Sequence, residues 1–170
     1  MRVGKLKRVN VTIRQCNMVK FVETKVVFEE IPDKITLGIT ISNCPFRCKG
    51  CHSDYLRGDT GNELTVSVLD DLIKKNKGIN CILFLGDGND KETICSLGKH
   101  IKNTYNEIMT GIYSGFDEIL PEYLTSFDYI KTGKWVEEFG PLNKETTNQR
   151  LYRVVDGIPN DITYLFWKRK

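Results

Sequence analysis

Hydrophobic positions along this chain switch repeatedly between two periods. Through Ile35-Thr-Leu-Gly-Ile-Thr-Ile-Ser42 the residues Ile35, Leu37, Ile39 and Ile41 recur at every second position, which predicts a strand with one strongly apolar face. Val68, Leu69, Leu72 and Ile73 then form a helical stripe. Asp70 and Asp71 stand four residues before Lys74 and Lys75, and Gly78 can close the helix, so the spacing predicts a helix over roughly 65 to 77. The unbroken apolar run Cys81-Ile-Leu-Phe-Leu85 has the length of a strand buried on both faces and ends at the turn Gly86-Asp87-Gly88. Ile94, Leu97, Ile101 and Tyr105 predict a second helix, Ile108–Tyr113 a third strand, Glu122–Ser126 a short helical piece and Phe127–Lys131 a fourth strand. Before residue 35 the pattern changes: Val9–Ile13 and Lys25–Phe28 are strand-like with no helix between them, so an antiparallel or edge element is expected there.

Alternating strands and helices are the signature of an α/β fold with a mostly parallel sheet. We therefore expect one domain over 1–170, with an N-terminal strand extension over 1–34 and β/α units around a mostly parallel sheet over 35–170. A length of 170 residues lies well below the ~250 that a closed eight-fold barrel normally needs, so a full barrel is not expected.

Composition narrows the classes of partner. With 40% hydrophobic and 28% charged residues the chain can bury a core, and a net charge of +3 is too small to make nucleic acid or an acidic membrane the default partner. The basic tip Lys168-Arg169-Lys170 reads as a solvated end. No run reaches the ~18 apolar residues of a membrane span, and the start Met1–Arg8 has no apolar signal core, so a cytoplasmic protein without a membrane partner is expected. In that compartment six cysteines are not a disulfide framework and must be read by their spacing.

Three of them fall in Ser42-Asn-Cys44-Pro-Phe-Arg-Cys48-Lys-Gly-Cys51-His52-Ser53, a C-x3-C-x2-C pattern directly after the first strong strand. As one face of a packed helix they would be small hydrophobes, but Pro45, Gly50, Arg47 and Lys49 argue against a helix here. Cys48-Lys-Gly-Cys51-His52 also matches the string for c-type haem attachment, with no role for Cys44. A zinc site from Cys44, Cys48, Cys51 and His52 would need the adjacent Cys51 and His52 to reach one ion. The remaining reading is an iron–sulfur cluster held by three thiolates with one iron left open to a ligand, at the strand ends where β/α enzymes build their sites. Cys16, Cys81 and Cys95 read as packing residues, and His100, on a polar stretch of the second helix, needs no function.

The cysteine loop resembles that of the radical S-adenosylmethionine enzymes. Together with Phe127-Asp-Tyr-Ile-Lys-Thr-Gly133, Phe139–Arg153 and Asp161–Trp167 it resembles the family of anaerobic ribonucleoside-triphosphate reductase activating proteins, over roughly residues 35 to 170. The resemblance implies an open β/α barrel of the radical S-adenosylmethionine type. Cys44, Cys48 and Cys51 would hold three irons of a [4Fe–4S] cluster, and the amino and carboxylate groups of S-adenosylmethionine would chelate the fourth. A reducing electron donor would be needed, and a 5′-deoxyadenosyl radical would take hydrogen from a glycine of the reductase catalytic subunit.

It further implies that a glycine-rich turn after the second strand binds the methionyl amino group. Here that turn is Gly86, Asp87 and Gly88, with Asp87 where a second glycine is expected, so which of the three makes the contact stays open. Gly50 and His52, flanking Cys51, would lie against the adenine, and Lys131 could pair with the cofactor carboxylate. The acceptor could also be another glycyl-radical enzyme or a peptide, because the cluster loop does not encode it. A non-catalytic zinc or haem module is the alternative from a different class. Finally, an incomplete barrel would leave a side through which a partner's peptide loop can enter.

Overall fold

The structure, a computed structural model, describes residues 18–167. Its centre is a parallel sheet of four strands, β2 (Thr36–Ile41), β4 (Cys81–Leu85), β5 (Met109–Tyr113) and β6 (Tyr129–Thr132), paired in that order. Helices α1 (Val66–Lys75), α2 (Lys91–Thr104) and α3 (Pro121–Ser126) connect them. Each crossover joins adjacent parallel strands and steps the same way across the sheet, which is the repeated β/α unit expected from the alternating periods.

Antiparallel strands extend both sides. β1 (Lys20–Val27) pairs with β2 and carries the two-residue β3 (Asn62–Glu63) on its outer edge, while β7 (Arg150–Val155) pairs with β6 and folds back as β8 (Ile158–Asp161). The eight-stranded sheet is thus mixed, in the order β3-β1-β2-β4-β5-β6-β7-β8, and the expected parallel character is confined to its four central strands. β3 and β8 remain its two ends, not paired with each other.

Side-chain alternation along the strands divides the core between two faces. Leu37, Ile39, Ile41, Ile82, Phe84, Ile112 and Ile130 pack with Leu69 and Ile73 of α1 and Ile94, Leu97 and Ile101 of α2. Cys81, Leu83, Tyr129 and Leu151 face the other way into a smaller cluster closed by Ile31 and by Ile162 and Phe166 at the C-terminal helix α4 (Tyr164–Trp167). Covering both faces explains why the central strands read as nearly continuous apolar runs.

Several sequence expectations need correction. Asp70 does more than attract Lys74 one turn on: its carboxylate also accepts from His100 Nε2 at 2.8 Å and from the Tyr105 hydroxyl at 2.9 Å, tying α1 to α2. His100, expected to have no task, is therefore structural. The α1 C-cap is Asn76, with Gly78 two residues beyond at φ 90°. Cys81 and Cys95 are buried as expected, whereas Cys16, Val9–Ile13 and the tip 168–170 lie outside the described residues. Among the described residues, no helix is long and apolar enough to cross a membrane.

Candidate metal and cofactor site

The loops that leave the carboxyl ends of β2, β4, β5 and β6 meet on one side of the sheet. The first carries the three cysteines. Its base is clamped: the Ser42 amide donates to Lys20 O at 3.0 Å, the Asn43 amide to Gly58 O at 3.0 Å and the Cys44 amide to Leu56 O at 2.9 Å. Among the described residues, no amide from 45 to 52 donates to a backbone carbonyl. Two guanidiniums hold the loop instead, Arg47 donating to the carbonyls of Cys44 and Phe46 at 3.0 and 3.3 Å and Arg57 to that of Cys48 at 3.0 Å.

The Ser53 amide donates to Cys51 Sγ at 3.4 Å, and the Phe46 amide lowers the Cys44 thiol pKa. Burial raises the Cys44 thiol above its ordinary range, the Phe46 amide pulls it down, and the charges of Cys51, Asp87 and Cys48 push it up again. Cys44, Cys48 and Cys51 are free and only half-buried. They thus share one electrostatic neighbourhood in which adding a cation would favour the thiolates. Among the described residues, however, no three His, Cys, Asp or Glu side chains stand close enough together to hold a metal ion as they are.

Phe46 fixes the loop to its neighbour after β5. Its ring meets Phe116 edge-on at 5.1 Å, and a Cβ on Gly115 would lie 2.5 Å from it, so only glycine leaves room for the ring. The turn after β4 is tied to the same place. The Asp87 carboxylate, 2% exposed, accepts from the Gly115 amide at 2.8 Å and from the Tyr123 hydroxyl at 2.7 Å. Asp87 therefore spends its side chain on the scaffold. The two glycines of the turn, Gly86 and Gly88 at φ 119° and 59°, border Ile41 and Ser42 at the start of the cysteine loop; the Gly86 amide donates to Tyr113 O at 3.1 Å and Gly88 is buried.

Lys131, on β6, is 8% exposed and donates to Gly133 O at 2.6 Å. Burial lowers its pKa to about 8, against the attraction of Asp87 and Cys48, which raise it. The ammonium also lies over the Tyr113 ring, 5.8 Å from its centre. Gly50 and His52 face the segment after β6: the His52 ring meets Trp135 edge-on at 5.2 Å, and Gly50, at φ 66°, borders Glu137 and the indole nitrogen of Trp135. That nitrogen, Nε1, is buried and has no hydrogen-bond partner.

Between the cysteine loop and this segment lies a cleft of about 540 Å³ lined by Phe46, Arg47, Cys48, Lys134, Trp135 and Glu137, among others. A larger groove of about 1190 Å³ runs between β3 and α2, past Leu64, Val66, Cys95 and Leu97. None of the candidate residues lines it, and of them Cys48 alone lines the smaller cleft.

The structure thus gathers Cys44, Cys48, Cys51, Gly86, Gly88 and Lys131 around the strand ends, with Gly50 and His52 on the side facing Trp135. Sequence reasoning missed Trp135, Arg57, the Phe46–Gly115 contact and the anchoring use of Asp87. Only Trp135 had a signal, as an aromatic just past the fourth strand; the others depend on residues brought together from separate loops. Compared with protein-family models, with curated proteins and with solved structures, the chain matches none of them.

Proposed function

We propose that this chain is a radical S-adenosylmethionine activating enzyme that installs a glycyl radical in the catalytic subunit of anaerobic ribonucleoside-triphosphate reductase. The observation that carries the reading is the loop itself: three free thiols at the end of the first parallel strand, one of them already receiving an amide N–H, in a stretch held by two arginine side chains. Such a donor set suits a [4Fe–4S] cluster, and amide donors to sulfur are the usual support for one. An orphaned buried donor, Trp135 Nε1, beside the same loop also fits a group not yet in place. Closing three separated thiols onto one cluster would move a loop that Arg47, Arg57 and the Phe46 ring now hold.

When bound, the cluster and S-adenosylmethionine would supply a one-electron reductive cleavage of the sulfonium C5′–S bond, with the electron from an external donor, and the hydrogen abstraction that follows. The chain's residues supply position and charge. Cys44, Cys48 and Cys51 would bind three irons and leave one open. Lys131, charged below pH about 8, would hold the cofactor carboxylate, and the backbone of Gly86 and Gly88 the amino group. Gly50 and His52 would bound the adenine. The two unpaired ends of the sheet fit an open barrel of the radical S-adenosylmethionine type, and a glycine loop of the partner would enter on the open side.

The test is anaerobic reconstitution of the full chain with iron and sulfide, then reduction in the presence of S-adenosylmethionine. The expected result is a brown protein that forms 5′-deoxyadenosine, with formation abolished in Cys44→Ala, Cys48→Ala and Cys51→Ala and kept in Cys95→Ala. A colourless zinc protein or a porphyrin spectrum would overturn the reading. Transfer of the radical to the reductase subunit, and not to another glycyl-radical enzyme, would test the acceptor.

A further inference from the structure

The described residues leave few buried polar side-chain atoms without a partner, and one of them is Trp135 Nε1. Leaving such a donor unpaired is unfavourable, so its position invites an explanation. It lies beside Gly50, which stands between Cys48 and Cys51 in the sequence: a Cβ built on Gly50 would be 3.7 Å from it and 3.2 Å from a carboxylate oxygen of Glu137. The ring is held there. His52 meets it edge-on at 5.2 Å, and the backbone that carries it is fixed by Asn148 Nδ2 donating to Lys134 O at 3.0 Å. Moving the indole to find water would break these contacts. A neighbouring donor shows what this loop does with an N–H group, since the Ser53 amide already donates to Cys51 Sγ at 3.4 Å.

We infer that Trp135 is a positioning residue whose indole N–H donates to a sulfur of the cluster or of its Cys48 or Cys51 ligands, and thereby raises the reduction potential of the site. This rests on the cluster reading above. A donor to sulfur stabilises the more negative, reduced form over the oxidised one, because the sulfurs gain electron density on reduction. The step concerned is a one-electron uptake from an added reductant, in which no bond breaks and no proton moves. The same contact would make the His52–Trp135 pair the wall that carries the cluster environment over to the segment after β6.

The test compares wild type, Trp135→Phe and Trp167→Phe as full chains. Phenylalanine keeps a ring against His52 and removes only the N–H. Trp167 is the control, since its Nε1 donates to Leu142 O at 3.3 Å, away from the loop. Before iron is added, Trp135→Phe is expected to unfold at no lower temperature than wild type, because no hydrogen bond is lost, whereas Trp167→Phe should unfold lower. After anaerobic loading to equal iron content, redox titration followed by electron paramagnetic resonance should give a more negative midpoint for Trp135→Phe and an unchanged one for Trp167→Phe. An unchanged or less negative midpoint in Trp135→Phe overturns the inference and leaves the proposed function standing. A wild type that takes up no cluster overturns both. If Trp135→Phe folds but cannot be loaded, Trp135→His decides: loading regained with a ring N–H supports the inference, and loading still absent overturns it.

Discussion

Lys131 concentrates the tension of the site in one side chain. Burial lowers its pKa to about 8 from an unfolded value of 10.5. Below pH 8 the ammonium is charged in both states, and the folded chain bears the cost of burying it. Between about 8 and 10.5 the folded form has released the proton while the unfolded form keeps it, so the unfolded state binds more protons and stability rises with pH. Replacing Lys131 by Met removes this dependence. The difference in unfolding free energy, wild type minus Lys131→Met, is expected to climb by about 3 kcal/mol between pH 8 and 10.5 in urea titrations. A difference that stays flat would mean that the ammonium is solvated. Cys81, whose thiol burial pushes up to about 12, loses stability over an overlapping alkaline range, but it does so in both proteins and cancels in the comparison. At neutral pH the same unfavourable charge is what a bound carboxylate would relieve, so the instability and the proposed binding role are one property.

At the scale of elements, agreement with the sequence followed how far each element's signal was local. β2, α1, β4, α2 and β5 all fall within two or three residues of their predicted bounds, because each is a strong periodic pattern with its own start or stop signal. The β7–β8 hairpin was not predicted as strands, although it carries a local signal. Asp156 and Gly157 join the two strands with φ of 52° and 76°, the left-handed pair that an Asp-Gly hairpin turn requires. The alternation around it is blurred, since all of β8 is exposed and only Leu151 of β7 is buried. Gly157 has nothing within 4 Å of where a Cβ would sit, so Gly157→Ala tests the backbone alone. It is expected to destabilise the protein by roughly 1–2 kcal/mol with the denaturant slope unchanged. A neutral result would show that the hairpin turn can relax without cost.

For the whole molecule, the cysteine loop is the part of the site that folding leaves least satisfied. Its base and two arginine clips hold it, but its interior amides and thiols have few partners. A ligand that binds the folded loop and not the unfolded chain stabilises the entire domain by mass action. Anaerobic reconstitution is therefore expected to raise the thermal midpoint of the wild type by several degrees, at about 2–4 °C for each kcal/mol in a domain of this size. Cys48→Ala should show no rise, and chelation of the iron should reverse it in the wild type. Equal midpoints before and after loading would mean that the loop does not couple to the fold.

Strand and helix periods, the α/β alternation and the C-x3-C-x2-C loop after an apolar strand could all be read from one chain, because each depends on neighbours within a few residues. The same holds for the burial of Cys81 inside an unbroken apolar run. Tertiary structure alone decided that Asp87 turns its carboxylate to Gly115 and Tyr123, that Asp70 crosses to His100, that Phe46 needs Gly115, and that Trp135 stands beside Gly50 with its N–H unpaired. These pairings join residues 28 to 85 positions apart. No local pattern encodes them, because the free energy that selects each partner exists only once the sheet has brought the strand ends, and the loops they carry, to the same side of the molecule.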